Sequence, residues 1–295
     1  MRLLDLSVGI MAYNEEQSIA RLLGALLRQK LVHARLTEIF IVTSGCTDRT
    51  EAIVRDFMKD DPRIRLISQD RRKGKASAIN LFLSAASGDI YVLESADTVP
   101  EDGALDYLIA PFAFSDVGMT GARPLPVNPC NTFMGYAVNL MWSLHHRVSL
   151  TTPKLGELIA FRNFVKNIPE DTAVDEAAIE ALVTNAGYQL RYVPNAVVRN
   201  KGPESIGDFI RQRRRIAAGH KHLWREQRYR VSTLDSKMIL KTLLQWQPWN
   251  IKNTIWTLGV ISLEAMARIL GGLDFHIRKQ VPVVWDIATS TKTWN

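Results

Sequence analysis

The first hundred residues alternate short β-branched runs with amphipathic ones, and this order constrains the fold more than any other feature of the chain. Strands are expected near 6–12, 38–43, 64–68 and 90–94, with helices near 16–29, 48–59 and 75–86 between them. Strand and helix repeated at this spacing build a parallel sheet with crossover helices. Thr47-Asp48 marks one helix start, and Pro62 forbids that helix from continuing. Downstream come a helix near 102–112, a strand near 117–122, a turn carrying Pro124, Pro126 and Pro129, a helix near 132–148 and a short strand at 158–161. A helix near 174–186 closed by Gly187, strands near 189–193 and 196–199, and a strongly basic helix near 205–226 complete this part.

At 295 residues and 46% hydrophobic content, the chain can fill one large α/β domain plus an appendage. Cys46 and Cys130 have no Cys-x-x-Cys or Cys/His spacing, so both are expected as free thiols in a reducing cytosol. Residues 1–12 enter a strand almost at once, with Arg2 the sole positive flank and Asp5 interrupting the apolar run, so no secretory signal is expected. Between Arg199 and Arg230 there are ten Lys/Arg against Glu204, Asp208 and Glu226, which accounts for the chain's whole surplus of +7. Such a patch suits a phosphate-bearing ligand or an anionic membrane face, and it also suits an ordinary solvated helix surface. It lacks the interleaved aromatic platform of single-strand readers, so nucleic acid is not an expected partner.

From about residue 232 the texture changes, with Trp246, Trp249, Trp256, Trp285 and Trp294 set among apolar stretches. The uncharged run 253–263 is too short for a bilayer span, which needs about 20 residues. Continued through Glu264 and Arg268, it reads as an amphipathic helix with Ile251, Ile255, Leu258 and Ile261 or Ser262 on the opposite side. An in-plane membrane helix fits, as does packing onto the protein's own core or a dimer contact. The division expected is a catalytic unit at 1–230 and a membrane-association region at 231–295, peripheral to the cytoplasmic face.

The chemistry-bearing residues lie at the ends of the expected strands. Ile90-Tyr-Val-Leu-Glu-Ser-Ala-Asp97-Thr-Val-Pro100 carries Asp97 to a strand's carboxyl end, where it can hold a cation or cap a turn. Gly74-Lys75 opens a helix, which suits a diphosphate. With Ala12-Tyr13-Asn14-Glu15-Glu16 after the first strand, these segments resemble the donor half of a family 2 glycosyltransferase of the GT-A fold, a Rossmann-like mixed sheet flanked by helices. Gly74-Lys75-x-x-Ala78-Ile79-Asn80 is similar to that family's Gly-Lys-x-x-Ala-Leu-Asn, and Gln212-Arg-Arg-Arg215-Ile216 resembles its Gln-x-x-Arg-Trp. Asp175-Glu176 stands where the family has Glu-Asp before Gly-Tyr, here Gly187-Tyr188, with the acids exchanged.

The resemblance covers roughly residues 5–230 and implies an inverting enzyme that moves a sugar from a nucleotide donor, a UDP-sugar by family default, to a lipid-linked or glycan acceptor. It implies donor contacts from Ala12, Tyr13, Asn14, Glu15, Ser44, Lys75, Ser95, Ala96 and Gln212, and a Mg²⁺ or Mn²⁺ ligand at Asp97. Glu176 is the expected base, Asp175 the alternate, and Arg215 the cation facing the leaving diphosphate. Gly156-Glu157 is a candidate for lining the sugar site. Three positions depart from the family pattern: Ser95 replaces the first acid of Asp-x-Asp, Thr43 stands where an acid often meets the base, and Ile216 replaces the tryptophan. Glu94 does not stand in for the missing acid, because neighbouring strand residues point to opposite faces. A phosphate acceptor, which needs no base, is the nearest alternative; a nucleotidyltransferase and a non-catalytic binding module are more distant ones. His145, His146, His220 and His222 are expected to be structural or surface residues.

Overall fold

The computed structural model describes residues 3–246 and 250–278. Its centre is an eight-stranded mixed sheet of order β3-β2-β1-β4-β7-β6-β8-β5. The parallel half is β1 (Leu4–Ala12), β2 (Ala34–Ser44), β3 (Ile64–Gln69) and β4 (Ile90–Ser95), joined through helices α1 (Ile19–Leu27), α2 (Thr50–Asp60) and α3 (Lys75–Ala85). β1 pairs in parallel with both β2 and β4, so the strand order reverses at β1. At such a reversal the connections leave in opposite directions, opening a crevice at the strands' carboxyl ends.

Alternation along the buried strands assigns the two faces of the sheet. Leu6, Val8, Ile10, Ile39, Ile41, Ile90 and Val92 pack with Ile19, Leu22, Leu23 and Leu26 of α1 on one face. Phe40, Val42, Tyr91 and Leu93 pack with Ala78, Ile79, Phe82 and Leu83 of α3 on the other. Gly9 lets α3 settle there, since a Cβ would meet the Phe82 ring at 2.6 Å.

Beyond β4 the chain adds β5 (Val99–Pro100), α4 (Ala104–Ile109), β6 (Val117–Pro126), α5 (Phe133–Ser149), β7 (Leu158–Arg162), α6 (Asp175–Asn185), β8 (Gln189–Asn200) and α7 (Ile206–Gln227). β7 runs antiparallel between β4 and β6, while β6 and β8 are parallel. Two expectations need correction. Pro124 and Pro126 belong to β6 and not to a turn: pairing with β7 stops at Gly121, and prolines two residues apart both lack N–H groups on one side, which β8 does not need. The strands expected near 189–193 and 196–199 form one strand, with Pro194 absorbed where the register shifts between Gly121 and Arg123 of β6.

The remaining helices are α8 (Ser236–Trp246) and α9 (Ile251–Leu273). They pack on α5 and α7 through Met134, Ala137, Leu140, Phe209, Leu243 and Val260. α9 follows the amphipathic reading, with its polar stripe turned inward. Glu264 accepts from Arg213 Nε at 2.7 Å and from Arg268 Nε at 2.7 Å, and Asp274 pairs with Arg214. Gly271 lies so close to α7 that a Cβ would meet the Arg214 carbonyl at 2.4 Å. Ile251, Ile255, Leu258, Ile261 and Ile269 face outward, between 47% and 83% exposed. Trp249, Trp285 and Trp294 lie outside the described residues. No described helix is long and apolar enough to cross a membrane.

Candidate active site

A cavity of about 1490 Å³ opens at the carboxyl ends of β1, β2 and β4. Ala12, Tyr13, Glu15, Ser44, Lys75, Ser95, Ala96, Asp97, Asp175, Glu176, Gln212 and Arg215 all lie on its wall, although they span two hundred residues of sequence. Asn14 is the exception among the expected site residues. Its φ of 53° turns the chain after β1, and its Oδ1 accepts from Thr47 N at 2.8 Å, so it braces the loop. Asp48 reinforces the same join, accepting from Thr50 N at 3.0 Å and Glu16 N at 3.1 Å.

The outer part of the cavity suits a nucleotide. The Arg72 guanidinium stacks over the Tyr13 ring at 4.2 Å from its centre. Ser44 Oγ donates to Gln69 Oε1 at 2.8 Å and accepts from Lys73 N at 3.2 Å, tying β2 to the turn before α3. Thr43 faces away from the cavity and donates to Glu51 Oε1 at 2.7 Å. Gly74, at φ 96°, delivers Lys75 to the first position of α3. Asn80, the last residue of that motif, does not reach the site: its Oδ1 accepts from Ile168 N at 2.8 Å and anchors the loop leading to α6.

Deeper in, charges of both signs meet. Lys75 Nζ lies 2.7 Å from Glu176 Oε1 and 3.8 Å from Asp175 Oδ2, the two acids at the start of α6. Burial opposes the Lys75 charge, but the carboxylates of Glu176 and Asp175 outweigh it and hold its pKa above the ordinary lysine value. Burial also works against the charge of Glu176, yet Lys75 overcomes it and keeps this carboxyl below the usual range. Asp175 is 3% exposed; burial, with the neighbouring charge of Glu176, raises its pKa despite Lys75 and Arg215. The pair is thereby split into a fixed counter-ion and a carboxylate of higher basicity. The charge of Arg215 acts on both carboxylates from α7. Gln212 and Arg215 line the cavity from α7; Arg213 and Arg214, which also reach its wall, are paired with Glu264 and Asp274 and hold α9.

Glu94 and Ser95 follow the strand alternation. Glu94 turns into the opposite face of the sheet, 1% exposed and accepting from the Thr98 hydroxyl; burial raises its pKa to about 8. Ser95 and Asp97 face the cavity. Glu157 joins them from the turn before β7 at a φ of 62°, where burial and the charge of Asp97 push its carboxyl up to about 7. Among the described residues, no three His, Cys, Asp or Glu side chains form a metal cage. The donor set at Asp97 is hard oxygen, which fits Mg²⁺ or Mn²⁺ bound through a carboxylate and phosphate oxygens.

The apolar end of the cavity was not legible as a site. It is bounded by Met141, Trp142 and Leu144 of α5, Ile239, Leu240 and Leu243 of α8, and Val260 and Ile261 of α9. Leu240 and Ile261 are also 54% and 47% exposed, so this apolar end emerges beside the outward face of α8 and α9. His145 lines it as well: its ring packs against Trp142 and Tyr192, and burial lowers its pKa to about 3.

A family model for glycosyl transferase family 2 matches residues 7–167, and one for glycosyl transferase family group 2 matches residues 113–273. Curated relatives include the probable glycosyltransferase YdaM of Bacillus subtilis, 26% identical over 74% of this chain and 55% of its own length. Poly-beta-1,6-N-acetyl-D-glucosamine synthase of Staphylococcus epidermidis is 24% identical over 96% of this chain and 70% of its own. The chain thus spans only about half the length of the first relative. Among solved structures, the mannosyltransferase PcManGT of Pyrobaculum calidifontis, in complex with GDP-Man and Mn²⁺, superposes with a TM-score of 0.67 at 20% identity, covering 95% of this chain and 89% of its own. Glucosyl-3-phosphoglycerate synthase of Mycobacterium tuberculosis, with Mn²⁺, UDP and phosphoglyceric acid, superposes at 0.53 and 20% identity, covering 75% and 78%.

Proposed function

The chain belongs to glycosyl transferase family 2 and has the GT-A fold, and from that premise we propose that it is an inverting transferase that moves a sugar from a nucleotide-sugar donor to a lipid-linked acceptor at a membrane surface. The observation that carries this reading is that Lys75, Asp97 and Arg215 share one cavity with Asp175 and Glu176. Sugar transfer from a nucleotide needs cations around a diphosphate and a carboxylate beside the attacking oxygen, and this wall supplies both.

In the proposed reaction the base and ribose occupy the edge formed by Ala12, Tyr13, Ser44 and Arg72. The diphosphate lies against the amino end of α3, with Lys75 on one side and Arg215 on the other. A divalent cation held at Asp97 would neutralise the charge growing on the leaving diphosphate. Gln212, on the same face of α7 as Arg215, steadies the donor. Asp175 is better suited than Glu176 to take the proton of an acceptor hydroxyl, because Lys75 already holds Glu176 as a weakly basic counter-ion. The cavity exceeds the roughly 300–1,000 Å³ typical of a single ligand, and its apolar end provides room for the acceptor's hydrocarbon portion. The exposed isoleucines of α9, beside the basic α7, suit an anionic membrane face.

The mannosyltransferase and N-acetylglucosaminyltransferase relatives support this chemistry. The test is nucleoside diphosphate release from a panel of UDP- and GDP-sugars, with Mg²⁺ or Mn²⁺ and anionic vesicles carrying a glycolipid or a polyprenyl phosphate. Release that requires both donor and acceptor lipid is expected; pyrophosphate release, or no turnover with any pair, would overturn the reading. One variation is an acceptor that is itself a phosphate, which needs no base. Asp175→Asn would then leave turnover largely intact, whereas transfer to a hydroxyl should fall at least about a hundredfold.

A further inference from the structure

Ser95 leaves the carboxyl edge of β4 one acid short, and the sheet returns an acid to that spot from another strand. β7 pairs antiparallel with β4, with Leu158 opposite Glu94. Glu157 comes next, in the turn that enters β7, which brings it to the same edge of the sheet as Ser95. The core confirms the pairing: Leu158 and Ala160 pack on the face of Ile90 and Val92, and Ile159 and Phe161 on the face of Tyr91 and Leu93. Glu157 lines the cavity together with Ser95 and Asp97, close enough to Asp97 for the two charges to repel.

A second, independent feature lies beside it. Asn200 closes β8 on the same cavity wall, 5% exposed. Its side chain hydrogen-bonds the Glu157 carboxylate. An ionised carboxylate only accepts, so the amide nitrogen is the group that meets Glu157; Oδ1 of the same amide, on the cavity wall, is buried with no hydrogen-bond partner. A buried amide oxygen left unsatisfied is costly unless a ligand completes it. Glu157 is moreover held at a φ of 62°, which non-glycine residues rarely adopt.

We propose that Glu157 and the side-chain oxygen of Asn200 complete a divalent-cation site with Asp97, so that the acid absent at Ser95 is supplied from β7. Two carboxylates of like charge and one amide oxygen are hard donors, and a cation among them relieves their mutual repulsion. The inference rests on the donor reading above in one respect: the remaining coordination positions belong to the donor's diphosphate and to water.

The test is a titration of the full chain with Mn²⁺, free ion read by electron paramagnetic resonance, with and without UDP or GDP. Glu157→Gln is expected to weaken Mn²⁺ binding at least about tenfold, and Asn200→Ala to weaken it by a smaller factor. Adding Ser95→Asp to Glu157→Gln should restore most of the affinity by returning the carboxylate to β4. Unchanged Mn²⁺ affinity in Glu157→Gln, with altered preference among sugar donors, would overturn the cation site and make Glu157 a reader of sugar hydroxyls. If Glu157→Gln fails to fold, as judged by circular dichroism in chelator, Asn200→Ala decides, and unchanged Mn²⁺ affinity there counts equally against the site. A parent chain that binds Mn²⁺ but neither diphosphate overturns the donor reading and leaves the cation site standing. Intact UDP or GDP binding, with Mn²⁺ affinity indifferent to Glu157→Gln, overturns the cation site alone.

Discussion

Replacing Lys75 by methionine keeps the side chain's length and removes its charge, leaving Glu176 and Asp175 together at the cavity floor. In the parent, Nζ is 2.7 Å from one carboxylate and 3.8 Å from the other, with side-chain exposures of 24% for Lys75, 23% for Glu176 and 4% for Asp175. Removing one partner of a buried ion pair costs about 3–5 kcal/mol, because the other charge is left uncompensated. A quarter of the Lys75 and Glu176 side chains still meets water, so the loss should sit at the low end, about 3 kcal/mol near pH 8. For a chain of this size that lowers the melting temperature by roughly 6–12 °C.

The pH dependence gives a sharper test. In the parent, Glu176 is depressed, so its contribution is present above the ordinary glutamate value of about 4.3 and is lost as pH falls through the folded value. In Lys75→Met both carboxyls are raised, so the variant loses stability as pH climbs through those values. The gap between the proteins should therefore widen from about pH 5 to pH 8. Urea denaturation at both pH values measures it, with Lys75→Arg as the variant that keeps the cation and should recover most of the loss. A Lys75→Met protein as stable as the parent near pH 8, or a gap that does not narrow in acid, would refute the reasoning.

Two further outcomes are expected elsewhere in the molecule. Burial opposes the charge of Glu264, but Arg213 and Arg268 pull its pKa down to about 2. Its contribution is therefore present above about pH 4.5 and fades as pH falls toward the folded value, so Glu264→Gln should cost on the order of 3 kcal/mol at neutral pH and little near pH 2; acid titration of circular dichroism checks both limbs. Ile255 and Ile269 are 61% and 65% exposed, so Ile255→Glu with Ile269→Glu should leave stability within about 1 kcal/mol of the parent while reducing sedimentation with anionic vesicles by tenfold or more. Unchanged vesicle binding would remove the membrane role from that face.

The parallel half of the sheet was legible because its signals are local: β-branched runs, a marked helix start and a proline stop place β1 to β4 and their helices within a few residues. Alternation within β4 was enough to turn Glu94 away from the site. Motif order was enough to expect Asp97, Lys75 and Arg215 together, although their meeting depends on α7 returning across α6 from far along the chain. What stayed hidden depended on long-range register. Nothing near Glu157 in the sequence says that it shares the cavity with Ser95; that depends on β7 entering the sheet beside β4. Pro194 looked like a break between strands because the bulge that absorbs it is shared with β6. Asp175 and Glu176 look equivalent as neighbours on a helix, and only the position of Lys75 separates them. On α9 the periodicity gave the two faces, but the partners that turn the charged one inward, Arg213 and Arg214, lie on another helix.

Calorimetric titration with UDP and GDP in the presence of Mn²⁺ tests the shared donor cleft directly, using the parent chain and the single variants Asp97→Ala, Lys75→Ala and Arg215→Ala. One of the two nucleotides should bind the parent, and each variant should lose at least about tenfold in affinity while remaining folded. Binding that is absent from the parent, or that all three substitutions leave untouched, would contradict it.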